Sequence, residues 1–232
     1  PIEKQQAVLQ GAVVDQDIDS LPQIEPKITA VSVPCKITKM KGIEDNGDGI
    51  YTTTKKNASM TLEFDGQDDC ETYLYLRDLK YNGKKSDGNV EISCEGVTRK
   101  TQVHTAGSLY SFDRAGVSFN LGYSEEGKKT CTISFERKGE YTVKPEIVCL
   151  PMKDYEKDAA ALHECVLENI EENGDEITGT VDADKTGLMV FTVPDYGGWR
   201  CYVDGRETDL IRVNTMYMGI ILQPGEHDIP SS

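Results

Sequence analysis

The sequence is short of positive charge. Against 40 Asp and Glu residues it holds 25 Lys and Arg among 232 residues, a formal net charge of −15. Because binding to a phosphate backbone needs clustered Lys and Arg, this composition argues against a nucleic-acid partner. The excess is concentrated in residues 151–232, which hold 6 basic and 17 acidic residues, net −11, against net −4 for residues 1–150.

Long apolar runs are also missing. No stretch approaches the ~18–20 consecutive apolar residues of a transmembrane helix, and Pro1-Ile2-Glu3-Lys4 does not resemble the start of a signal peptide. The chain begins without Met and stops inside a predicted strand, so we expect a soluble fragment of a longer protein. Hydrophobic residues make up 38% and glycines number 21, a composition typical of a globular chain with one or two domains.

Motifs for catalysis and cofactors are absent. The sequence holds 3 histidines, and none forms an H-E-x-x-H motif, because His163-Glu164 is followed by Cys165. No G-x-S-x-G, P-loop or G-x-G-x-x-G motif follows a predicted strand. We therefore predict no catalytic residue, no cofactor and no metal for this chain.

Some acidic clusters resemble calcium loops. Glu44-x-Asn46-x-Asp48-Gly49 matches the first half of such a loop, but Lys55 stands where a bidentate carboxylate is required. A hairpin turn is the better interpretation. The remaining pairs, Asp182 with Asp184 and Asp204 with Asp209, are interpreted as solvated turns.

The seven cysteines show no C-x-x-C pair and no zinc-site spacing. Period-two alternation places Cys131 on a strand face with Ile133 and Phe135, and Cys94 on a face with Val90 and Ile92. This pattern favours free thiols in the core, with one or two disulfides as the alternative.

Turn residues and short apolar runs predict a mainly β fold of two antiparallel units. Residues 1–27 are interpreted as a short helix and an acidic linker. Residues 28–150 are interpreted as a β-sandwich or jelly roll, because turn residues recur every 8 to 12 positions. Its predicted strands are 28–37, 50–54, 59–64, 71–78, 89–94, 116–122, 130–136 and 139–149.

Residues 151–232 are predicted to form a helix followed by an antiparallel meander. The helix is predicted over 155–172 from an apolar stripe, with Asp154 capping its start and Asn173-Gly174 ending it. Its amphipathic face is expected to lie on the following sheet or between the two units. The dipeptide Asp204-Gly205 is typical of a two-residue hairpin. The remaining predicted strands are 176–182, 187–193, 199–203, 208–213, 218–222 and 226–229.

One segment combines aromatics, a carboxylate and glycines. Aromatic faces pack against sugar C–H groups and carboxylates accept hydroxyl hydrogen bonds, so the segment is a candidate carbohydrate contact. The core is the better interpretation of Trp199 itself, since alternation places it on one face with Cys201 and Val203. The candidate contact residues are Asp195, Tyr196, Trp199 and Tyr202.

The same segment resembles the bacterial YfhO-type polytopic membrane proteins. Gly198-Trp199-Arg200-Cys201-Tyr202-Val203-Asp204-Gly205 and the later Gly225-Glu226-His227 are similar to the family's Gly-Trp-x-x-x-Val-Asp-Gly hairpin and closing Gly-x-His. The flanking segments 176–181, 187–194 and 219–222 match as well. In the first unit, Asn120-Leu121-Gly122-Tyr123 and Lys138-Gly139-Glu140-Tyr141 are similar to the family's penultimate β unit, and residues 3–13 resemble the segment that leads into it.

The resemblance implies the extracytoplasmic C-terminal part of a membrane sugar transferase that modifies envelope polymers of the lipoteichoic-acid type. In that family the catalytic carboxylate lies in an early loop between transmembrane helices, so no catalytic residue carries over to this chain. The implied partners are the membrane portion of the same protein and an envelope glycan. The order Asp195-Tyr196 departs from the family's Tyr-Asp order.

Two functions from different classes remain open at this stage: a non-catalytic accessory region that braces the membrane part or positions its acceptor, and a carbohydrate-binding or purely structural surface module. The acidic last third would repel an anionic polymer at ranges of about 8–10 Å. We therefore expect the less charged unit, 28–150, or the membrane part to meet the polymer.

Overall fold

The structure is a computed structural model that describes residues 2–84, 87–105, 108–110 and 116–231. Pro1 and Ser232, at the ends of the first and last predicted segments, lie outside the described residues. The chain divides into two compact units, one of residues 29–153 and one that combines 1–28 with 154–232. The second unit is therefore interrupted in sequence by the first.

The unit of residues 29–153 contains two antiparallel sheets. Its strands in chain order are β1 (Val31–Val33), β2 (Cys35–Lys41), β3 (Ile43–Asp45), β4 (Ile50–Thr53), β5 (Ala58–Gly66), β6 (Cys70–Asn82), β7 (Asp87–Cys94), β8 (Val97–His104), β9 (Gly116–Ser124), β10 (Gly127–Phe135) and β11 (Gly139–Pro151). One sheet has the order β3-β4-β11-β6-β9, with β1 also paired to β11, and the other has the order β2-β5-β10-β7-β8. The predicted all-β unit is confirmed.

Alternation of apolar residues explains why the two sheets pack face to face. Leu74 and Ile147 of the first sheet share one buried core with Leu62 and Ile133 of the second. Every second residue of β5 is buried, as expected for a strand with one face on the core. This two-sheet core defines a β-sandwich.

The unit of residues 1–28 and 154–232 has two helices and two smaller antiparallel sheets. Its elements are α1 (Ile2–Gln10), α2 (Tyr155–Leu162), β12 (Glu168–Asn173), β13 (Glu176–Ala183), β14 (Gly187–Pro194), β15 (Cys201–Val203), β16 (Arg206–Thr208), β17 (Ile211–Val213), β18 (Tyr217–Leu222) and β19 (Gly225–Ser231). The sheets have the orders β12-β13-β19-β15-β16 and β14-β18-β17. Their small core includes Val181, Cys201, Ile220 and Ile229.

The helix predicted over 155–172 is wrong beyond Leu162. Residues 168–173 form β12 instead, which pairs with β13 through a turn at Gly174, where φ is +71°. Asn173-Gly174 thus serves a hairpin rather than a helix end, because strand pairing satisfies the backbone that the amphipathic pattern assigned to a helix. Asp154 does occupy the N-cap position, but its side chain makes no capping hydrogen bond.

The segment predicted as a linker is tied into the second unit. Val14 forms a β-bridge with Val213, and Val13 exchanges two hydrogen bonds with Asn214. Within the same unit α1 lies against α2. Residues 1–28 are therefore part of a folded body and not a separate helix and linker.

The division into units also sharpens the charge asymmetry. Residues 29–153 hold 18 basic and 18 acidic residues, so this unit is neutral overall. Residues 1–28 and 154–232 hold 7 basic and 22 acidic residues, net −15. The whole excess of negative charge belongs to one unit.

Candidate functional site

The loop between β14 and β15 holds the predicted contact residues Asp195, Tyr196 and Trp199. Asp195 organises this loop: its Oδ1 accepts a hydrogen bond of 3.0 Å from the Gly197 backbone, and its own backbone N–H donates to Met216 O at 2.8 Å. Its Oδ2 lies 3.8 Å from Arg212 Nε. The Asp195 carboxylate is thus used mainly to hold the loop.

The aromatics of this segment do not gather into one platform. Tyr196 is 86% exposed, whereas Trp199 and Tyr202 are half-buried. No ring–ring contact within the described residues involves any of the three. β15 begins at Cys201, so Trp199 lies outside the strand and outside the core cluster that contains Cys201. Of the predicted aromatics, Tyr196 is the most exposed.

The Asp-Gly hairpin and the Gly-x-His segment meet in space. Asp204 and Gly205 adopt φ of +52° and +75°, which forms the predicted two-residue turn. Asp204 Oδ2 lies 2.8 Å from His227 Nδ1, and Asp204 Oδ1 accepts a hydrogen bond of 3.0 Å from the Asp228 backbone. The two sequence motifs therefore form one clamp between β15 and β19.

Hydrogen bonding favours the charged forms of both His227 and Asp204 in this clamp. His227 Nε2 lies 2.9 Å from Gln223 O, and because a carbonyl can only accept, this nitrogen must donate. Hydrogen bonding to Asp204 and then to Gln223 raises the pKa of His227 above its ordinary value. The hydrogen bond with His227 in turn lowers the pKa of Asp204. Both shifts favour the imidazolium–carboxylate form of the pair.

The connection between β17 and β18 is conformationally strained. Asn214 and Thr215 both have positive φ, +50° and +76°. This region is unfavourable for a β-branched residue such as Thr215. The pair of hydrogen bonds between Asn214 and Val13 helps to hold the connection in place.

A polar and aromatic surface that the sequence did not single out lies on the outer face of β6 and β9. We call it the Tyr123 surface, and it consists of Asp69, Glu71, Asn120 and Tyr123, with the buried Tyr73 hydrogen-bonded to Glu71 beside them. Tyr123 lies directly opposite Glu71 across the strand pair, and Asn120 lies opposite Tyr73. A β-bulge at this point brings Tyr123 to the face that Asn120 occupies.

Hydrogen bonds hold these side chains in place. The Tyr123 hydroxyl donates to Asp69 Oδ1 at 2.5 Å while its side chain is 63% exposed. The Tyr73 hydroxyl donates to Glu71 Oε2 at 2.6 Å, and Asn120 Nδ2 donates to Glu71 Oε1 at 3.3 Å. The result is an exposed ring next to a fixed carboxylate.

The electrostatics of the Tyr123 surface are negative. The hydrogen bond to Asp69 raises the pKa of Tyr123 to about 12, because the phenol proton is shared with an ionised carboxylate. None of the ion pairs found among the described residues involves Asp69 or Glu71. The two carboxylates therefore retain acceptor capacity for hydroxyl or ammonium donors.

The neighbouring part of the same face is closed by an arginine. Arg77 Cζ lies 4.7 Å from the centre of the Tyr75 ring, and Arg77 Nε lies 2.5 Å from Glu146 Oε2. A Cβ at Gly116 would lie 2.9 Å from Tyr75 Cε2, which shows that the ring lies against this glycine. Tyr75 is thus covered, and the free ring of this face is Tyr123.

Part of this surface could have been found from the sequence. Period-two alternation along β6 places Glu71, Tyr73, Tyr75 and Arg77 on one face. Asn120 and Tyr123 belong to one of the segments that resembles the YfhO-type proteins. Their meeting with Glu71 depends on the pairing of β6 with β9 and on a bulge, neither of which a single sequence reveals.

The clamp joins Asp204-Gly205 to Gly225-Glu226-His227, two of the segments on which the resemblance rests. A sequence model of the family described as "Bacterial membrane protein YfhO" matches residues 1–230.

The chain belongs to the YfhO family.

No curated protein matches this YfhO-family chain. Among known structures, the family 35 carbohydrate-binding module (CBM35) from Cellvibrio japonicus Abf62 is similar at 16% identity and a TM-score of 0.39, covering 53% of this chain and 94% of that one. The C-terminal CBM6 of LamC from Zobellia galactanivorans is similar at 9% identity and a TM-score of 0.37, covering 53% and 100%. A cycloisomaltooligosaccharide glucanotransferase from Paenibacillus sp. aligns at 6% identity and a TM-score of 0.32, covering 87% of this chain and 44% of that one.

Two further features concern the described residues. Neither helix in this part of the chain is long and apolar enough to cross a membrane. Within the same ranges no three His, Cys, Asp or Glu side chains gather as metal ligands.

Residues 45–50 form the predicted hairpin turn between β3 and β4, in which Asp45 Oδ1 accepts a hydrogen bond of 2.9 Å from Gly47 N.

Proposed function

We propose that this chain is a non-catalytic, extracytoplasmic accessory region of a YfhO-family membrane protein, and that it holds a cell-envelope glycan for the membrane portion of the same protein. The membrane portion would be the sugar transferase, and the polymer would be of the lipoteichoic-acid type. The observation that carries the proposal is the Tyr123 surface, where an exposed, fixed ring stands beside carboxylates that can accept hydrogen bonds.

The chemistry of this surface favours sugar units over phosphates. The Tyr123 ring can pack on the C–H face of a pyranose, while Glu71 and Asp69 accept hydrogen bonds from its hydroxyls. The same carboxylates repel a phosphate. The sugar substituents of the polymer, neutral or amine-bearing, are therefore the part that would be bound.

The charge distribution supports this assignment. The Tyr123 surface lies in the unit that is neutral overall, whereas the other unit carries net −15. An anionic polymer is repelled by the acidic unit within about a Debye length, ~8 Å at physiological salt. The neutral unit is thus the one that can approach it.

The test is a titration of the chain with glycosylated and unglycosylated polymer of this type. We expect binding of the glycosylated form, weakened about 10-fold by Tyr123→Ala, which corresponds to about 1.4 kcal/mol for one aromatic contact. Tyr155→Ala is the matched control, because Tyr155 is also exposed, at 46%, and should not alter binding. Equal binding by wild type and Tyr123→Ala, or no binding by either, would sink the proposal.

The loop of Asp195, Tyr196, Trp199 and Tyr202 is a second candidate contact, favoured by the 86% exposure of Tyr196. In the same titration Tyr196→Ala and Trp199→Ala test it separately. A loss confined to these two variants would move the glycan contact to this loop.

A further inference from the structure

Two cysteines face each other across neighbouring strands of the sandwich. Cys94 of β7 pairs directly with Cys131 of β10, and both side chains point into the core, at 4% and 0% exposure. Both are free thiols in the structure. The sequence leaves free thiols and one or two disulfides open as alternatives but does not indicate which residues would pair.

The alternation of hydrogen bonds along the β7–β10 ladder shows whether Cys94 and Cys131 form a hydrogen-bonded or a non-hydrogen-bonded pair. The Glu136 backbone N–H donates to Asn89 O at 3.0 Å, so Glu136 and Asn89 form a hydrogen-bonded pair. In an antiparallel ladder hydrogen-bonded and non-hydrogen-bonded pairs alternate. Cys131 lies five residues from Glu136, an odd number of steps, so Cys131 and Cys94 form a non-hydrogen-bonded pair.

That geometry suits a disulfide. Opposite residues of a non-hydrogen-bonded pair have Cα atoms about 4.5 Å apart and closely spaced side chains. A disulfide requires Cα atoms about 4.4–6.8 Å apart. The position meets this requirement without a change in register.

The other cysteines are less well placed. Cys149 lies opposite Thr72 and Cys70 lies opposite Pro151, so these two are diagonal neighbours, for which the Cα distance is about 7–8 Å. Cys35 lies opposite Phe64 and is separated from Cys131 by β5. Among the described cysteines, only Cys94 and Cys131 face each other directly in register.

The pair also has a route to reaction. Cys94 is the last residue of β7, and the two-residue turn Glu95-Gly96 follows it, so the pair lies at the end of the ladder, where strands open most easily. Hydrogen bonding with the Cys131 thiol lowers the pKa of Cys94, and the same interaction, with burial, raises the pKa of Cys131. Because Cys94 ends its strand, it is the thiol that an external disulfide reaches first when the strands open.

We propose that Cys94 and Cys131 form a cross-strand disulfide that locks β7 to β10. In the reaction the Cys94 thiolate attacks a disulfide of a small molecule or exchange protein and releases one thiol. The Cys131 sulfur then displaces the second thiol from the mixed disulfide. Two protein thiols are oxidised, one external disulfide is reduced to two thiols, and the S–S bond joins the two strands.

The experiment refolds the reduced chain in a mixture of reduced and oxidised glutathione, alkylates the remaining thiols in denaturant and maps the peptides by mass spectrometry. We expect five of the seven cysteines to be alkylated and Cys94 to be linked to Cys131. The Tm should be higher than in reductant by on the order of 10 °C, because the bond closes a loop of several tens of residues.

Cys94→Ala and Cys131→Ala should each abolish the linked peptide and the difference in Tm between the two buffers. Cys35→Ala should leave both unchanged. Alkylation of all seven cysteines after refolding, or a link between other cysteines such as Cys70 and Cys149, would overturn the proposal. The peptide map of the wild-type chain decides it even if an alanine variant fails to fold.

Discussion

His227 is bound at both ring nitrogens, and its protonation is therefore coupled to folding. Its pKa is raised from the ordinary value of 6.5, so its contribution to stability is complete below about pH 6.5 and is lost as the pH rises through the raised pKa. The pKa of Asp204 is lowered from 3.8, so its contribution is complete above that value and is lost as the pH falls through the lowered pKa. Both contributions are complete from about pH 4 to 6.5.

We predict that His227→Gln lowers the free energy of unfolding by about 1 kcal/mol near pH 6, through loss of two charge-assisted hydrogen bonds. The difference from wild type should shrink as the pH rises through the raised pKa of His227. Denaturant unfolding between pH 5 and 9 measures this. His163→Gln is the control, because His163 is exposed; a constant difference for His227→Gln across the range would contradict the prediction.

Thr215 is a single residue whose replacement should stabilise the protein. Its φ of +76° is unfavourable for a β-branched side chain, whereas Gly205 adopts nearly the same φ, +75°, in the neighbouring hairpin at no such cost. We predict that Thr215→Gly raises the free energy of unfolding by about 1 kcal/mol. The reverse change, Gly205→Thr, should lower the free energy of unfolding. Denaturant unfolding of both variants measures these changes. No gain in stability for Thr215→Gly would contradict the prediction that Thr215 is strained.

At the scale of elements, the β12–β13 hairpin replaces the second half of a predicted helix. A Cβ at Gly179 would lie 2.6 Å from Leu167 Cγ and 2.9 Å from Glu168 O. Gly179 therefore allows the backbone at the start of β12 to approach β13 closely.

We predict that Gly179→Ala destabilises this unit by about 1–3 kcal/mol, as for other overpacked sites. Hydrogen exchange should show faster exchange in β12 and β13 and no change in residues 29–153. Gly187→Ala is the control, since a Cβ there would lie 3.8 Å from its nearest neighbour, Lys185 O. Unchanged exchange in Gly179→Ala would mean that β12 does not pack as described.

The elements also show why some predictions from sequence succeed. In β5 and β10 the buried residues alternate strictly, and such short β-rich runs bounded by turn residues were enough to predict a strand at each place. Between Tyr155 and Glu172 the same apolar residues suit a helix stripe or a strand, and pairing with β13 decided the outcome. The short strand β3 and the polar strand β8 were missed, because neither carries a run of buried apolar residues.

The features of the candidate site were also predicted from the sequence only in part. The Asp204-Gly205 turn followed from its dipeptide, since few residue pairs accept two positive φ angles. The partnership of Asp204 with His227 and that of Tyr123 with Asp69 are long-range contacts, and local patterns do not encode them.

On the scale of the whole molecule, residues 1–28 complete the unit formed by 154–232. The bonds of Val13 and Val14 to the β17–β18 region and the packing of α1 on α2 depend on them. We predict that removing residues 1–28 destabilises 154–232 by at least about 2 kcal/mol, because several hydrogen bonds and buried contacts are lost together.

Hydrogen exchange on the shortened chain measures this change. Protection should fall in β17 and β18 and persist in β5, β7 and β10. Asn214→Ala, which removes only one side-chain acceptor, should have a smaller effect in the same direction. Full protection of β17 and β18 without residues 1–28 would show that the N-terminal segment is dispensable.

Because one unit interrupts the other in sequence, the two units can complete their folding only in a certain order during synthesis. The sandwich of residues 29–153 is continuous, so a chain emerging from a ribosome or a translocation channel can fold it as soon as its last strand is out. The other unit must wait, because Val13 meets its partner Asn214 only after 201 further residues have been made. Contacts so distant in sequence close slowly. Residues 1–28 are thus made before residues 29–153 but reach their final place only after residues 154–232 have been made, and during that interval they are open to proteases or chaperones that the finished fold excludes.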